Sequence, residues 1–469
     1  MATAERSYDA IIVGAGVSGS FIGNALTQAG MKCLLLEAGR FFNRKTYPRH
    51  EIDANSQLFW SAGIELNSDA SIGLLRPKVV GGGSIVNQAL MDRFDDSAFD
   101  GWQQASGVSF LNRREMDPWY DRVEKEISIQ TVPERYANGN AAIFRRGFEN
   151  NGYCWAPLHR AQADCRFEDG NCCIECLSGC RIDSKQSTPV TVLKRALAAG
   201  LELIPEFEVH RVAESDGSVS VTGAGPDGSL KTFHGGRLVM ASGAIGNSKL
   251  LLASDFGGRL PALGRNFFTH PQYMTLARYD EPVLAHRGPM QSYKSDDPNF
   301  RRGGFKLENV FARPVGIGML LPGFGRAHQA LMKNITHLAC IEVCVRDTNP
   351  GRIRLGSGGK LVIEKQLNGE DRRRRDRGLA AIRNIFLSTG ARQIVDGSIA
   401  IGLHLQGGCN MGADPAHSVV SPEYRLHGSR RIYAADSSVF PNAPGINPVF
   451  TIMAMSLRGA AQILQEAHA

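Results

Sequence analysis

Apolar and polar residues follow two different patterns along the chain, and each predicts its own kind of strand. Two short runs near the start, Ala10-Ile-Ile-Val13 and Cys33-Leu-Leu-Leu36, contain no polar residue. Runs of this kind, bounded by glycine, are typical of strands that are buried on both faces of a parallel sheet. The segment between them, residues 20–29, predicts a helix. The beginning of the chain therefore indicates a β-α-β unit.

Apolar and polar residues alternate in several later segments. Two of them are Leu201-Glu-Leu-Ile and Ser218-Val-Ser-Val-Thr, and two more lie at residues 337–345 and in Gly351-Arg-Ile-Arg-Leu. Alternation of this kind is typical of strands with one buried face. We expect the first two segments to form a small antiparallel excursion and the last two to belong to a separate antiparallel sheet.

The glycines after the first apolar run form a dinucleotide-binding fingerprint. Gly14, Gly16 and Gly19 stand between the predicted strand and the predicted helix. The first permits a tight turn, the second lets the backbone approach a diphosphate, and the third allows the helix to pack closely on the strand. Glu37 ends the second strand, at the position where an acid binds the ribose hydroxyls of a dinucleotide. An acid at this position argues against a 2′-phosphate and therefore against NADP. Arg40 keeps that argument open, and the fingerprint alone does not separate FAD from NAD.

Two segments near the end of the chain carry candidate catalytic residues. His404 begins the run His-Leu-Gln-Gly-Gly-Cys, and Asn447 follows in Pro-Gly-Ile-Asn-Pro. A histidine in a glycine-rich loop, with an asparagine brought back beside it, suits removal of a proton from an alcohol. Taken alone, His404 would more often be a buried loop histidine with no chemical role. His270, beside Pro271, is predicted to lie at a turn without such a role.

Five motifs in a fixed order resemble the glucose–methanol–choline family of FAD-dependent oxidoreductases. They are the fingerprint, the glycine-rich loop at residues 81–87, the segment from Ala241 to His270, the histidine loop, and residues 431–441 with Asn447 after them. The similarity extends from Tyr8 to the last predicted helix. Two departures, Gly-Gly-Cys in the histidine loop and Gly-Asn-Ser-Lys after Ile245, concern loop detail and remove no side chain with a chemical role.

The resemblance implies that FAD is the cofactor and assigns residues to it. The loop at residues 81–87 would lie along the flavin and the diphosphate, the backbone of Val209 would contact adenine, and Asp436 with its neighbours would cap the diphosphate and isoalloxazine end. The residues expected to contact FAD are Gly14, Ala15, Gly16, Val17, Ser18, Gly19, Glu37, Ala38, Gly82, Gly83, Ser84, Asn87, Val209, Ala241, Ala435, Asp436 and Asn447. His404 matches the catalytic histidine of the family, and Asn447 matches its partner.

The predicted fold is α/β and divides into two parts. A Rossmann-like FAD-binding domain, discontinuous in sequence, would comprise residues 1–95, 190–270 and 399–469. An α+β substrate domain, with an antiparallel sheet over the flavin, would comprise residues 96–189 and 271–398.

The resemblance implies oxidation of an alcohol by hydride transfer to flavin N5. We assign His404 as the base, because neutral imidazole has an ordinary pKa of ~6.5, close to working pH. A positioned base of this type typically accelerates a reaction by ~10²–10⁴-fold. Asn447 would hydrogen-bond the alkoxide-like oxygen or orient the hydroxyl.

Half of the ten cysteines lie close together in a polar loop, at positions 165, 172, 173, 176 and 180. Three explanations stay open: an iron–sulfur cluster, a structural zinc ion, or disulfides and thiols without a metal. The candidate ligands are Cys172, Cys173, Cys176 and Cys180. The loop partially resembles one in iron–sulfur-containing sugar dehydrogenases of the same family. The other cysteines, Cys33, Cys154, Cys340, Cys344 and Cys409, are predicted to be packing residues.

The composition is that of an ordinary globular protein. The chain has 469 residues, 43% hydrophobic and 21% charged, and a net charge of +7. One dense basic run, at residues 372–375, is interpreted as a solvated helix start, so nucleic acid is not an expected partner. No apolar stretch reaches the ~18 residues of a membrane span, and no export signal stands at the start. We expect a cytoplasmic protein, or a periplasmic one exported with a partner subunit.

The leading functional hypothesis is an FAD-dependent dehydrogenase that oxidises a primary or secondary alcohol. Sugars and polyols are favoured as substrates, and the electrons would pass to an acceptor other than oxygen, such as a cytochrome or a small accessory subunit. One alternative is an oxidase that produces hydrogen peroxide. Another is a flavoprotein electron-transfer subunit with no substrate chemistry of its own.

Overall fold

The computed structural model describes residues 7–165 and 176–468, and they contain two large sheets. The strands are β1 (Ser7–Val13), β2 (Cys33–Leu36), β3 (Glu65–Leu66), β4 (Ile72–Leu74), β5 (Ile129–Thr131), β6 (Trp155–Pro157), β7 (His159–Ala161), β8 (Glu202–Ile204), β9 (Glu208–Ser215), β10 (Ser218–Ala224), β11 (Leu230–Met240), β12 (Arg265–Arg278), β13 (Tyr293–Ser295), β14 (Phe305–Asn309), β15 (Leu338–Val345), β16 (Gly351–Leu355), β17 (Leu361–Glu364), β18 (Gln393–Asp396), β19 (Ala400–Gly407) and β20 (Ile432–Ala434).

Helices cover both sheets and connect their strands. The α-helices are α1 (Val17–Gln28), α2 (Glu51–Leu58), α3 (Gly83–Val86), α4 (Asp96–Ser106), α5 (Arg113–Glu126), α6 (Gly139–Asn150), α7 (Val192–Ala198), α8 (Gly243–Ala253), α9 (Pro298–Arg302), α10 (Pro314–Leu320), α11 (Gly325–Lys333), α12 (Gly369–Ser388) and α13 (Val449–His468).

The smaller sheet is the predicted Rossmann-like unit, and it has seven strands. Its order is β8-β2-β1-β11-β10-β9, with β20 paired to β11. The strands β8, β2, β1, β11 and β20 pair in parallel, and both apolar runs near the start of the chain are fully buried in it. The fold prediction is confirmed in this part, because apolar runs and a glycine turn are local signals.

One expectation for this sheet is wrong. Residues 201–204 were assigned to an antiparallel excursion, but β8 pairs in parallel with β2. Helix α7 runs directly before β8, and a helical crossover returns a chain to the sheet in the parallel sense. Strand β10 is antiparallel to both of its neighbours, as expected.

The larger sheet has eleven strands and is mostly antiparallel. Its central order is β4-β19-β12-β15-β14-β13, and β12 contributes the longest strand. Both segments predicted as strands of this sheet are present, as β15 and β16. The sheet also contains β3 and β4, which come from the first part of the chain. The domain boundaries stay a prediction.

Two single-residue expectations are also wrong. His270 does not lie at a turn: it lies within β12, fully buried. A shift of register between Phe268 and His270 precedes Pro271, and irregularities of this kind are where a strand tolerates proline. Cys154 is exposed, so it is not a packing residue, whereas Cys33, Cys340, Cys344 and Cys409 are buried as predicted.

The basic run forms part of α12, which begins at Gly369. Asn368 caps this helix, and Asp371 completes a capping box. Glu370 pairs with both Arg373 and Arg374, so charges within the helix neutralise part of the run. No helix in the described part of the chain combines the length and the apolarity needed to cross a bilayer.

Candidate active site

A cavity of about 1020 Å³ is lined by residues of both sheets. At one end lie the glycine turn after β1 and the glycine loop at α3, and elsewhere lie His404 on β19 and Asn447 before α13. The cavity thus brings together motifs from opposite ends of the chain. The predicted cofactor and catalytic residues that line it are Gly14, Gly16, Val17, Ser18, Glu37, Ala38, Gly82, Gly83, Asn87, Val209, Ala241, Asp436, Asn447 and His404.

The two glycine loops approach each other so closely that side chains are excluded. A Cβ at Gly82 would lie 2.7 Å from Gly16 Cα, and Gly82 has a φ of +51°. A Cβ at Gly14, where φ is +105°, would lie 2.4 Å from the carbonyl oxygen of Ala241. Backbone atoms therefore form this end of the cavity.

The N-terminus of α1 is suited to an anion. No side chain among the described residues caps this helix, and Val17 and Ser18 of its first turn line the cavity. The Ser18 hydroxyl is buried and has no hydrogen-bond partner among residues 7–165 and 176–468. Free N–H groups and the helix dipole favour a phosphate at this position. These residues fit the diphosphate of FAD.

Glu37 is held by the backbone at the end of β2. Its Oε2 accepts a hydrogen bond from the Ala15 N–H at 2.8 Å, and its Oε1 accepts one from the Gly39 N–H at 2.7 Å. Burial raises the pKa of Glu37, and these two hydrogen bonds oppose the increase. Each carboxylate oxygen keeps a lone pair that can accept a hydrogen bond from a ribose hydroxyl.

Four residues predicted to contact FAD do not line the cavity. They are Ala15, Gly19, Ser84 and Ala435. Ser84 donates its hydroxyl proton to the Gly81 carbonyl at 2.6 Å, and a Cβ at Gly19 would lie 1.9 Å from the Gly14 carbonyl oxygen. In the structure Ser84 and Gly19 support the two glycine loops from behind.

His404 contacts a second histidine that sequence reasoning left without a role. Its Nδ1 lies 2.9 Å from Nδ1 of His270. On the other side of the His270 ring, Nε2 accepts a hydrogen bond from the Gly445 N–H at 2.9 Å. His404 has a φ of +56°, a conformation rare for a residue other than glycine. Such strain is often found at functional sites.

These contacts decide which nitrogen of each ring carries the proton. Burial lowers the pKa of His270 well below its ordinary value, and burial, together with the charge of Lys306, lowers that of His404 to about 3. Both rings are therefore neutral at neutral pH. Because the Gly445 N–H donates to His270 Nε2, the proton of His270 is on Nδ1 and points to His404 Nδ1. His404 then carries its own proton on Nε2.

Lys306 orients the amide of Asn447. Its Nζ donates to Asn447 Oδ1 at 2.6 Å, and Asn447 Nδ2 lies 3.5 Å from Glu308 Oε1. Asn447 is buried and lines the cavity. With its oxygen engaged by the lysine, the amide presents its nitrogen as a hydrogen-bond donor.

Sequence reasoning missed a polar wall on the larger sheet. Gln272, Glu308 and Glu342 line the cavity and are buried. The alternation Phe-Lys-Leu-Glu in β14 is a signal for a polar face. From the sequence alone, this alternation predicts a polar face that is exposed to solvent. Only the pairing of the strand with its neighbours shows that the polar face lines a cavity.

The cysteine loop lies partly outside the described residues. Cys172 and Cys173 fall there, while Cys176 and Cys180 are buried. A hydrogen bond with Cys176 lowers the pKa of Cys180 to about 5, which favours the thiolate. The buried ammonium group of Lys185 donates to the carbonyls of Cys176, Ile85 and Asn87, and so links this segment to the glycine loop.

Family models match most of the chain. A model described as GMC oxidoreductase matches residues 8–272, and a second model with the same description matches residues 348–456.

Similar proteins cover nearly all of the chain. An uncharacterized GMC-type oxidoreductase of Mycobacterium tuberculosis is 27% identical over 97% of this chain and 75% of its own length. Long-chain-alcohol oxidase FAO4A of Arabidopsis thaliana is 24% identical over 96% of this chain and 67% of its own length. A cholesterol oxidase of Mycobacterium tuberculosis is 24% identical over 97% of this chain and 90% of its own length.

Solved structures share the fold. Pyridoxine 4-oxidase from Mesorbium loti superposes with a TM-score of 0.73 at 18% identity, covering 98% of this chain and 99% of that one. A formate oxidase variant from Aspergillus oryzae superposes with a TM-score of 0.77 at 15% identity, covering 99% of this chain and 100% of that one.

Proposed function

Since the chain belongs to the GMC oxidoreductase family and is an FAD-dependent oxidoreductase acting on CH–OH groups, we propose that it oxidises a primary or secondary alcohol to a carbonyl at His404 and Asn447. FAD, when bound, supplies a hydride acceptor. The observation that carries this proposal is that His404, Asn447 and the two glycine loops all line one cavity.

The residues at the nucleotide end would hold FAD through its phosphates and ribose. The first turn of α1 and the two glycine loops would bind the diphosphate, and Glu37 would accept hydrogen bonds from ribose hydroxyls. Val209, which lines the cavity on β9, is proposed to contact adenine.

His404 and Asn447 present two hydrogen-bond donors for the oxygen of the substrate. In the resting arrangement these are His404 Nε2–H and Asn447 Nδ2–H. Donors that are already oriented stabilise negative charge as it develops on the oxygen. The role of base that the sequence predicts for His404 requires Nε2 without a proton. That role calls for a change of tautomer in which His270 becomes protonated on Nε2 and gives up its contact with Gly445.

Replacement of His404 tests the proposal and separates the two roles. His404→Ala should slow reduction of bound FAD by an alcohol about 10²–10⁴-fold, measured anaerobically by stopped flow, while FAD stays bound. His404→Gln retains an amide donor, so a donor role predicts partial recovery of the rate and a base role predicts none. His417→Ala, an exposed histidine outside the cavity, is the control. Nearly normal reduction in His404→Ala would contradict a role for this residue.

Oxygen as the electron acceptor is the second candidate, in place of the acceptor predicted from sequence. It is favoured by the relatives and solved structures of this fold that are named oxidases. Hydrogen peroxide formed in amounts equal to the alcohol consumed under air would support an oxidase. Turnover only with an added dye or cytochrome would support a dehydrogenase. An electron-transfer subunit predicts that no alcohol bleaches the flavin without oxygen.

A metal at the cysteine loop stays a prediction, with Cys172, Cys173, Cys176 and Cys180 as its candidate ligands. The hydrogen bond with Cys176, which lowers the pKa of Cys180 to about 5, supports a thiolate at Cys180. Iron and acid-labile sulfide in protein purified without oxygen would support an iron–sulfur cluster and a protein electron acceptor. Zinc alone would support the structural site, and protein free of both metals would leave thiols or disulfides.

A further inference from the structure

We propose that the cavity binds alcohols that carry a protonated nitrogen, and that this nitrogen lies against Glu308, Glu342 and Gln272. The inference rests on the proposed function, because it adds a substrate class to the same cavity. All three side chains line the cavity, and each is at most 2% exposed.

Strand register places these side chains on one face of the larger sheet. Glu308 on β14 lies opposite Glu342 on β15, and Glu342 lies opposite Met274 on β12. Gln272 is two residues from Met274, and alternate residues of a strand point to the same face. The cavity therefore has a wall that carries two carboxyl groups and an amide.

The two carboxyl groups form a hydrogen-bonded pair. Burial, and then the charge of Glu308 and a hydrogen bond with it, raise the pKa of Glu342 well above its ordinary value. Gln291 Nε2 lies 3.3 Å from Glu308 Oε2 and 3.5 Å from Glu342 Oε1, so it bridges the pair. Two neighbouring buried carboxyl groups do not both ionise easily. Glu342 therefore holds a proton in the protein without ligand.

The neighbouring lysines balance other carboxylates. Lys306 Nζ lies 2.8 Å from Glu308 Oε1, and Lys294 Nζ lies 2.5 Å from Asp92 Oδ1. Lys306 balances the charge of Glu308, and Lys294 balances that of Asp92. Neither lysine is then available to balance the negative charge of an ionised Glu342. A cation on the ligand would supply the matching charge, which a buried carboxylate requires.

An acceptor without a partner points independently to a ligand with N–H groups. Gln272 Oε1 is buried and has no hydrogen-bond partner in the part of the chain that the structure describes. The Gln272 side chain is otherwise hydrogen-bonded to Cys344. A buried acceptor of this kind is costly to leave unsatisfied. A protonated amine has several donors and no acceptor, so it can satisfy Gln272 and the carboxyl pair together.

The proposed nitrogen site lies close to the reacting oxygen. Asn447, the proposed donor to that oxygen, lies 3.5 Å from Glu308 Oε1. A nitrogen against the carboxyl pair is therefore only a few bonds from the hydroxyl group, as in a short amino alcohol. A polyol hydroxyl would also donate to Gln272, but it would leave Glu342 protonated, whereas a cation would favour the ionised form of Glu342.

Three substrate series of equal length test the charge requirement. They are ω-amino-alkan-1-ols, α,ω-diols and alkan-1-ols, compared by the rate of anaerobic FAD reduction as a function of concentration. We expect the limiting rate of FAD reduction divided by the Kd to be roughly tenfold or more higher for the best amino alcohol than for its diol and alkanol analogues. Equal values for the amino alcohol and the diol would overturn the proposal in favour of hydroxyl recognition.

Glu342→Gln removes the charge and keeps a hydrogen-bonding side chain of similar size. We expect the ratio between its rates with the amino alcohol and with the alkanol to fall towards one, while FAD stays bound. Met274→Leu changes an uncharged side chain on the neighbouring strand, at the position paired with Glu342. This variant should keep the preference for amino alcohols. An unchanged preference in Glu342→Gln would overturn the proposal.

Binding without turnover separates this inference from the proposed function. In the FAD-loaded protein, 3-methoxypropylamine should bind roughly tenfold or more tightly than its isostere 1-methoxybutane, by calorimetry. Binding should release a proton from Glu342, detected as a heat that depends on the buffer, and Glu342→Gln should abolish the release. Equal binding of the two ethers overturns the inference. If the amine binds but no alcohol reduces FAD, the alcohol-oxidising function fails instead.

Discussion

At His404 and Asn447, neighbouring side chains decide which atoms face the cavity. His270 donates to one nitrogen of His404, and Lys306 engages the oxygen of Asn447. Each contact leaves a donor for the substrate oxygen. The chemistry of the pair therefore depends on two residues that lie on other strands.

The low pKa of His404 predicts a simple pH dependence. A group with a pKa of about 3 takes up a proton only in strong acid, so His404 stays neutral as the pH falls from neutral towards about 5. The rate of FAD reduction should then show no loss with a midpoint near the ordinary histidine value. The measurement is best made in Glu342→Gln, where titration of that carboxyl does not contribute. A midpoint near 6.5 that disappears in His404→Gln would contradict the prediction.

Replacement of Lys306 should affect the rate more than replacement of its neighbour. Lys306→Met frees the amide oxygen of Asn447, and removal of a positive charge raises the pKa of His404. We expect FAD reduction to slow by roughly tenfold or more, because the amide no longer presents its nitrogen reliably. Lys294→Met is the matched control, since Lys294 also pairs with Asp92 but does not contact Asn447. Equal effects of the two variants would argue against an orienting role for Lys306.

Sequence motifs place His404 and Asn447 at the cavity, but the residues that orient them were not predictable. The contact of His404 with His270 spans 134 positions, and that of Asn447 with Lys306 spans 141. Motifs describe neighbours in sequence, whereas these contacts depend on how β12, β14 and β19 are aligned in one sheet. His270 was misplaced for a local reason, since proline is a strong signal for a turn.

Among the elements, the β1-turn-α1 unit was the most predictable. Its strand, glycine turn and helix are each specified by adjacent residues, such as Gly14 with Ala10-Ile-Ile-Val13 before it. Strand β8 shows the opposite case, because nothing in its alternation distinguishes a parallel from an antiparallel partner. The pairing follows from the helix before it.

The contact between the two glycine loops predicts a sharp effect of one methyl group. Gly82→Ala would place a Cβ 2.7 Å from Gly16 Cα, so the loops must move apart. We expect FAD affinity to fall by roughly tenfold or more, measured by equilibrium titration of the FAD-free protein. Gly30→Ala is the matched control, because φ is also positive there and no atom of the residues that the structure describes lies within 4 Å of the added Cβ. A similar loss in both variants would attribute the effect to backbone strain and not to the loop contact.

At the scale of the molecule, the cavity separates two hydrophobic cores. One core packs around the smaller sheet with α1 and α13, and the other packs around β12, β14 and β15 with α6 and α12. The cavity leaves about 1020 Å³ open, and residues of both cores line it. A ligand that fills it would therefore contact both parts of the fold.

We accordingly expect FAD to stabilise the whole protein and not only its own site. A ligand that binds only the folded state stabilises it by about 4 kcal/mol when its free concentration is about a thousandfold above Kd. The melting temperature of protein stripped of FAD should be lower by several degrees, and added FAD should restore it. Gly82→Ala should need more FAD for the same increase, whereas Gly30→Ala should follow the unaltered protein. Large proteins often unfold irreversibly, so all samples should be scanned at one rate. Equal melting temperatures with and without FAD would mean that the cavity walls are held by their own two cores, independently of the cofactor.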